Sequence, residues 1–396
     1  MVVSSSMQSS LGAYDILQNV RAMEDGLRAR ADEIDQLRRL PDDLVEDLKR
    51  AGCFRMAMPK DWGGPEMSSI EQHEVIFELS RANASVGWCV MIGLDAGIFV
   101  GYLDDDVARR MYPRLDMIQA GWLYPMGRAE RVAGGYKVSG LWRFASGSAH
   151  CDVLDAGCTL FENGTPVMGE DGVPEWRVML APRDSYEILD VWHTTGLRGT
   201  GSNDYRVENL FVPEEHTFSF NERPKREGPI WIKPDAVLRK MSAIPLGIAR
   251  DALDHVTEVM RTKVERPSGK PYRDSERIRI ALAEAEMRYG AADTYVRTAL
   301  ERQWDCLERG MTQLPRRVRT DAWMSRTNAF QESRRIVLDL YDLVGGAAVY
   351  ANECPLDRHL RDVQTACQHM VGQYKSMESV GQLLLDPDAR IGSPML

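Results

Sequence analysis

Apolar side chains recur at helical spacing along residues 12–115 and predict an N-terminal helical block. One run covers residues 12–38. A second run follows Pro41 and stops at Gly52, because glycine is typical of a helix C-terminus. Residues 59–67 are dense in proline and glycine, which predicts a loop. The block therefore begins with two helical runs and an irregular connection.

A capping signal marks the next helix. Ser68 and Glu71 have the spacing of a helix start, and the predicted helix runs to about Ala82. The apolar segment 86–103 then approaches the ~20 residues that a membrane-spanning helix needs. Asp95 lies near its centre and four glycines interrupt it. We interpret this segment as a buried helix of a soluble protein and expect no membrane partner.

From about residue 117 the apolar period changes from 3.6 to 2, which predicts a compact β domain. Residues 128–144 predict a hairpin whose two-residue turn is formed by Gly134 and Gly135. Further strands are predicted at 153–160, 176–181, 186–192 and 205–212.

Helical periodicity returns beyond residue 233. Four long helices with short connections predict an antiparallel bundle, with the helices near 234–263, 273–308, 316–343 and 356–384. The predicted fold is α+β with three domains, which are an N-terminal helical domain, a central β-barrel or β-sandwich domain and a C-terminal four-helix bundle at residues 1–116, 117–230 and 231–396.

The composition and charge of the chain exclude several classes of function. The chain is 44% hydrophobic and 27% charged, as a globular enzyme commonly is, and its formal charge is −10. Nucleic-acid binding needs a basic surface, so no nucleic-acid partner is expected. The seven cysteines show no CxxC spacing, which predicts neither a disulfide framework nor a metal site and fits the reducing cytoplasm.

Four stretches carry a resemblance to a known family. They are AGCFRMAMPKDWGGPEM (51–67), GLWRFASGSAHCD (140–152), TTGLRGTGSNDYRVENLFVP (194–213) and the last predicted helix with DRHLRDVQTACQHM (357–370). Together they resemble the acyl-CoA dehydrogenase superfamily, and within it the oxygenase components of two-component (group D) flavin-dependent monooxygenases. The resemblance extends from about residue 15 to residue 390.

The resemblance implies an activity and a set of partners. The expected reaction uses reduced flavin (FMNH2 or FADH2) and O2 to form a C4a-hydroperoxyflavin, which hydroxylates an aromatic, indolic or heteroaromatic small molecule or an amine nitrogen. A separate NAD(P)H:flavin reductase is expected to supply the flavin, since no G-x-G-x-x-G follows a predicted strand. The family also implies a homotetramer.

The resemblance also implies flavin-facing residues in the β domain. Ser146 is predicted to face the gap between flavin and substrate, with Ser148 as the second candidate, and an aromatic neighbour, Trp142 or Phe144, is expected to screen the flavin from water. Thr200 and Ser202 belong to a polar, glycine-rich loop whose amides and hydroxyls are expected to reach the flavin. Outside the family pattern, serines in such a turn commonly satisfy the backbone alone.

The last predicted helix carries the expected catalytic residue. Dehydrogenases of the family place a glutamate base about nine residues after the arginine of an Arg-Asp pair. Here Arg361 and Asp362 are followed by Gln368, His369 and Met370, with no carboxylate at that position. The monooxygenases place a histidine there, so His369 is the predicted base or polarising group, because imidazole titrates near neutrality.

Five further residues are assigned by resemblance. Arg266 is predicted to reach the flavin phosphate or ring edge, and Gly345 and Gly346 to let a neighbouring subunit approach the flavin. Trp122 and Tyr124 are predicted to contact the substrate, in a stretch where the phenol hydroxylases carry a histidine. Their presence argues against a simple phenol as substrate.

Two other functions remain open at this stage. One is an FAD-dependent acyl-CoA dehydrogenase whose base has moved, although the missing glutamate counts against it. The other is a catalytically silent subunit that acts in binding or assembly, although Ser146, His369 and the loop glycines count against that role.

Overall fold

Within the described residues, one sheet lies between an N-terminal and a C-terminal group of helices. The computed structural model describes residues 11–232, 234–266, 268–350, 354–386, 389 and 391. The N-terminal helices are α1 (Ala13–Ala22), α2 (Glu24–Ala29), α3 (Ala31–Leu37), α4 (Asp42–Ala51), α5 (Ser69–Ala82), α6 (Ala84–Gly93), α7 (Ala96–Phe99) and α8 (Asp105–Met111).

Local capping explains where these helices begin and end. Ser68 caps α5, because its hydroxyl accepts the Glu71 amide and the Glu71 carboxylate accepts the Ser68 amide. Gly52 ends α4 with φ 92°. The predicted helical run over residues 12–38 consists of three short helices, α1 to α3, whose buried residues belong to the hydrophobic core.

The apolar segment after α5 lies in the protein interior. The stretch Ala84–Tyr102 is long and apolar enough to cross a membrane, but 94% of its most apolar window is buried inside the protein. Its interpretation as a core segment is therefore confirmed. All seven cysteines are free, and all except Cys306 are buried.

Eight strands form one connected sheet in the middle of the chain. Their spatial order is β6-β7-β2-β1-β3-β5-β8, with β4 paired to β3, and every pairing except β1 with β3 is antiparallel. The strands are β1 (Gln119–Val132), β2 (Gly135–Ala145), β3 (Val153–Glu162), β4 (Thr165–Pro166), β5 (Trp176–Pro182), β6 (Glu187–Leu189), β7 (Asn203–Pro213) and β8 (Thr217–Phe218).

The predicted hairpin is confirmed, but its turn lies one residue earlier. Val132 pairs with Gly135, so the two turn residues are Ala133 and Gly134. Gly134 has φ 77°, whereas Gly135 is already the first residue of β2.

A wide bulge interrupts β1 between Trp122 and Gly127. The pairing of β1 with β3 jumps from Trp122–Ala156 to Gly127–Cys158, so residues 123–126 loop out of the ladder. A side chain at Gly157 of β3 would meet this bulge, because its Cβ would lie 2.2 Å from the Leu123 carbonyl oxygen. A glycine is therefore required where the bulge folds back on the sheet.

The C-terminal helices are α9 (Ala243–Thr262), α10 (Glu276–Glu308), α11 (Arg316–Val344), α12 (Leu356–Ala366) and α13 (Met377–Leu385). The prediction of one continuous last helix is wrong, because the chain between α12 and α13 forms two short 3-10 turns. Side chains of α11 stabilise this break. Thr327 donates to the Val371 carbonyl at 3.0 Å, and Gln331 donates to the Gly372 carbonyl.

Candidate functional site

A cavity of about 280 Å³ lies where the three parts of the chain meet. Its lining combines an aromatic wall, a row of hydroxyls and the segment after α12, a combination typical of ligand pockets. Larger surface grooves elsewhere are lined mainly by charged and polar side chains. The cavity is lined by Trp88, Trp122, Phe144, Trp192 and Leu197, by Ser146, Thr200 and Ser202, and by Thr365, Gln368, His369, Met370 and Gln373.

The three hydroxyls form a hydrogen-bonded chain with a fixed direction. Trp88 Nε1, which can only donate, lies 3.0 Å from Ser146 Oγ, and Thr200 Oγ1 donates to the Leu197 carbonyl at 2.9 Å. Ser202 Oγ lies 2.7 Å from both Ser146 Oγ and Thr200 Oγ1. Each hydroxyl has one proton, so Ser146 donates to Ser202 and Ser202 donates to Thr200. The remaining lone pairs of Ser146 and Ser202 can therefore accept a donor from a ligand.

A bulge in β2 decides which aromatic ring reaches the cavity. Trp142 and Phe144 would share one face of a regular strand, but the register with β7 shifts between Trp142 and Ala145, and Phe144 has φ 62°. Phe144 consequently lines the cavity, packed 5.5 Å from Trp122 and 6.2 Å from Trp192 between ring centroids.

His369 lies at the start of the break after α12. Its Nδ1 accepts the Val371 amide at 3.4 Å, and its ring meets Trp88 edge-on at 5.8 Å. One edge of the ring faces the cavity, yet burial, and secondarily the positive charge of Arg326, lower the pKa of His369 to about 4. The ring is therefore neutral at pH 7. Because Nδ1 is an acceptor, we assign the proton to Nε2, which makes Nε2–H a donor.

Comparison with known proteins places this site in a family. The sequence profiles for the acyl-CoA dehydrogenase N-terminal and C-terminal domains match residues 14–115 and 240–374. Indole-3-acetate monooxygenase of Pseudomonas putida is 30% identical over 353 residues, which is 88% of each chain. The chain belongs to the acyl-CoA dehydrogenase family.

Other relatives in the family are also monooxygenases. The flavin-dependent monooxygenase oxygenase subunit HsaA of Rhodococcus jostii is 29% identical and covers 89% of this chain and 93% of its own. The crystal structure of the HsaA monooxygenase from M. tuberculosis superposes with a TM-score of 0.88 at 25% identity, covering 98% and 100%. The predicted fold class and the predicted class of enzyme, a flavin-dependent monooxygenase, are confirmed.

The structure brings five of the predicted site residues together. Ser146, Thr200, Ser202, His369 and Trp122 all line the cavity, although they come from the turn after β2, the loop before β7, the break after α12 and β1. Their individual roles remain predictions.

Trp142 and Ser148 lie behind the cavity wall. Trp142 is fully buried inside the sheet, donates to the Gly157 carbonyl at 2.8 Å and stacks on Tyr205. Of the two aromatic residues predicted to screen the flavin, Phe144 lines the cavity and Trp142 does not. Ser148 is also fully buried, and its hydroxyl donates to the Gly201 carbonyl at 3.2 Å, which satisfies the turn backbone.

Four other predicted residues lie outside the cavity lining. Tyr124 stands on the β1 bulge and is 67% exposed. Arg266 is exposed in the connection between α9 and α10. Gly345 ends α11 with φ 67°, a backbone conformation that favours glycine. A Cβ built on Gly345 or on Gly346 meets no atom within 4 Å. Contact of these residues with a flavin or a neighbouring subunit stays a prediction.

Sequence reasoning missed Trp88 and Trp192. Trp88 lies in α6, whose residues are uniformly apolar, so periodicity gave no sign that one face meets a cavity. Trp192 follows β6 and donates to the Leu197 carbonyl at 2.9 Å. One feature of the sequence could have revealed these residues. The indole N–H of a tryptophan in an apolar segment needs a hydrogen-bond acceptor.

Proposed function

We propose that this chain is the oxygenase component of a two-component monooxygenase that uses reduced flavin to hydroxylate an aromatic or indolic small molecule. The observation that carries the proposal is the lining of the cavity. It contains His369 and a directed row of hydroxyls but no carboxylate among the described residues. Removal of an α-proton from an acyl-CoA needs a carboxylate base, whereas oxygen transfer to an aromatic ring does not.

The cavity residues fit a reduced flavin. The aromatic wall suits a flat ring system, and the lone pairs of Ser146 and Ser202 suit the N–H groups along a reduced flavin edge. When bound, the reduced flavin supplies the electrons that activate O2. FMN and FAD both remain candidates, since they share the ring system that the cavity would hold.

The chain's own residues would bind and orient the ligands and would exclude water from the site. Ser146 would accept a ligand N–H, while the Nε2–H of His369, a residue of the lining, would donate to an oxygen of the acceptor substrate. In this role His369 polarises the substrate and does not begin as a base. Trp122, Phe144 and Trp192 supply apolar walls that keep water from the reacting atoms.

The partners are proposed from the relatives. The name oxygenase subunit for HsaA supports a separate NAD(P)H:flavin reductase as the source of reduced flavin. Indole-3-acetate monooxygenase supports an indolic or related aromatic substrate, with an amine nitrogen as the other acceptor considered. We also propose a homotetramer in the cytoplasm, which the family resemblance implies.

Rapid mixing of the protein and anaerobically reduced flavin with O2, without substrate, tests the proposal. We expect the absorbance of oxidised flavin to return much more slowly than it does for free reduced flavin in solution. The reason is that the cavity would protect the product of reduced flavin and O2 from water. A return as fast as that of free flavin would contradict the proposal. Copurified FAD that an acyl-CoA bleaches would favour the dehydrogenase, and failure to bind flavin would favour the silent subunit.

A further inference from the structure

A buried carboxylate of α12 is bound to the loop that carries the hydroxyl row. Asp362 is 2% exposed, and its Oδ1 accepts the backbone amide of Leu197 at 2.7 Å. Asp362 does not line the cavity, but Leu197 does. The contact therefore joins the helix that leads to His369 with the opposite wall of the site.

The loop before β7 is attached to α12 at three consecutive residues. Arg361 Nη1 donates to the Thr195 carbonyl at 2.6 Å, and Asp362 accepts from Leu197. Between them, Gly196 lies directly against the helix backbone, since a Cβ there would sit 2.0 Å from the Arg361 carbonyl oxygen. This contact leaves no room for a side chain and fixes the register of loop and helix.

Leu197 adopts a backbone conformation that needs such support. Its φ of 49° is left-handed, a region that residues with a side chain rarely adopt because it strains the backbone. The conformation directs the amide toward Asp362 and the carbonyl toward Thr200 Oγ1 and Trp192 Nε1, each at 2.9 Å. Both polar groups of Leu197 are thus held, one by α12 and the other by the cavity wall.

We propose that Asp362 is a positioning residue of the site, acting through Leu197. By holding Leu197 in the left-handed conformation, it presents the Leu197 carbonyl as the final acceptor of the chain from Trp88 through the three hydroxyls. That acceptor sets the direction of every hydrogen bond in the row and leaves Ser146 as an acceptor toward the ligand. The identity of that ligand as reduced flavin rests on the proposed function.

The role requires an acceptor oxygen and no negative charge. Burial raises the pKa of the Asp362 carboxyl to about 7, and an acceptor oxygen is present in both protonation states. Asp362→Asn keeps an oxygen at this position, whereas Asp362→Ala removes it. Asp321 provides a matched control, because it is equally buried at 2% but its partners, Tyr295 and Arg317, lie away from the cavity.

Hydrogen exchange of the segment 194–202 tests the contact without reference to activity. We expect Asp362→Ala to accelerate exchange there about tenfold, since one buried hydrogen bond is lost. Asp362→Asn should stay within about threefold of the wild type, and Asp321→Ala should leave this segment unchanged. Unchanged exchange in Asp362→Ala would overturn the proposal. If Asp362→Ala does not fold, Asp362→Ser, whose oxygen is one atom too short, gives the same test.

Anaerobic binding of reduced FMN tests whether the contact acts through the hydroxyl row. Asp362→Ala should raise Kd about tenfold in the wild type but only about twofold in a Thr200→Val background, where the row is already broken. Equal effects in both backgrounds would show that Asp362 merely stabilises the fold. If neither reduced FMN nor reduced FAD binds the wild type, the proposed function fails, while the exchange result still decides the role of Asp362.

Discussion

His369 is the residue on which the proposed chemistry depends most, and its hydrogen bonds limit what it can do. The Val371 amide occupies Nδ1, and the low pKa keeps the ring neutral. The other ring nitrogen, Nε2, is then a donor, so His369 can act as a base only after the Val371 amide releases Nδ1. At residue scale, the site combines one donor on the bundle side with acceptors on the sheet side.

Substitution of His369 separates these two roles. We expect His369→Gln, whose amide nitrogen can replace Nε2–H, to retain roughly a tenth of wild-type kcat/KM, and His369→Asn to lose about another tenfold. In the wild type, the acid limb of kcat/KM should lie near pH 4 and not near the ordinary value for histidine, because burial lowers the pKa. An acid limb near pH 6.5 that disappears in His369→Gln would contradict this account.

Asp155 gives a stability prediction at the same scale. The residue is buried, only one of its carboxylate oxygens has a partner, and burial raises its pKa to about 8. The native state therefore keeps a proton that the unfolded chain releases near pH 4, so stability falls as pH rises from about 4 to 8. We expect Asp155→Asn to remove about 2 kcal/mol of the loss between pH 5 and 7, measured by urea unfolding. An unchanged pH dependence would contradict the shifted pKa.

At the scale of elements, irregular points of the sheet and bundle shape the cavity. The bulge of β1, the bulge of β2 and the break between α12 and α13 turn Trp122, Phe144 and His369 toward one space. Each irregularity is held by contacts from another element. Regular strands and an unbroken last helix would direct these side chains elsewhere.

Gly157 tests the β1 bulge. In Gly157→Ala, the new Cβ would lie 2.2 Å from the Leu123 carbonyl and 2.5 Å from the Tyr124 carbonyl, so the bulge must move. We expect a loss of about 2–4 kcal/mol in the free energy of unfolding and weaker flavin binding. Gly290→Ala is the control, because no atom lies within 4 Å of its built Cβ in α10 and alanine should stabilise that helix by about 1 kcal/mol. Equal behaviour of the two variants would argue against a constrained bulge.

These irregularities also mark the limit of prediction from the sequence. The helical blocks and the hairpin follow from local patterns, such as the capping pair Ser68 and Glu71. The break after α12 depends on Thr327 and Gln331 of another helix, which no local pattern reveals. Ser146 and His369 were found through the family pattern. Which of Trp142 and Phe144 lines the cavity could not be predicted, because the period of 2 does not hold across a bulge.

At the scale of the whole molecule, the cavity is assembled from all three parts of the chain. α6 contributes Trp88, the turn after β2 and the loop before β7 contribute the hydroxyls, and the segment after α12 contributes His369. Among the described residues that line it, none carries a formal charge at neutral pH. A ligand with an unpaired charge would therefore lose hydration without gaining a partner.

The uncharged lining predicts discrimination between two indolic ligands. We expect neutral indole to bind the protein and its reduced flavin at least about tenfold more tightly than indole-3-acetate, since the carboxylate meets no cation in the lining. Anaerobic titration of the flavin absorbance measures both affinities. Preference for indole-3-acetate would show that a positive charge enters the site from elsewhere, such as a neighbouring subunit.

The most direct test of the account is to follow isotopically labelled O2 during turnover with reduced flavin and an indolic or phenolic substrate. Oxygen transfer within the cavity predicts that one labelled oxygen atom appears in the hydroxylated product, and that His369→Asn diverts the label to hydrogen peroxide. Product oxygen that derives from water, or label that reaches only hydrogen peroxide in the wild type with every substrate tried, would contradict the proposed monooxygenase.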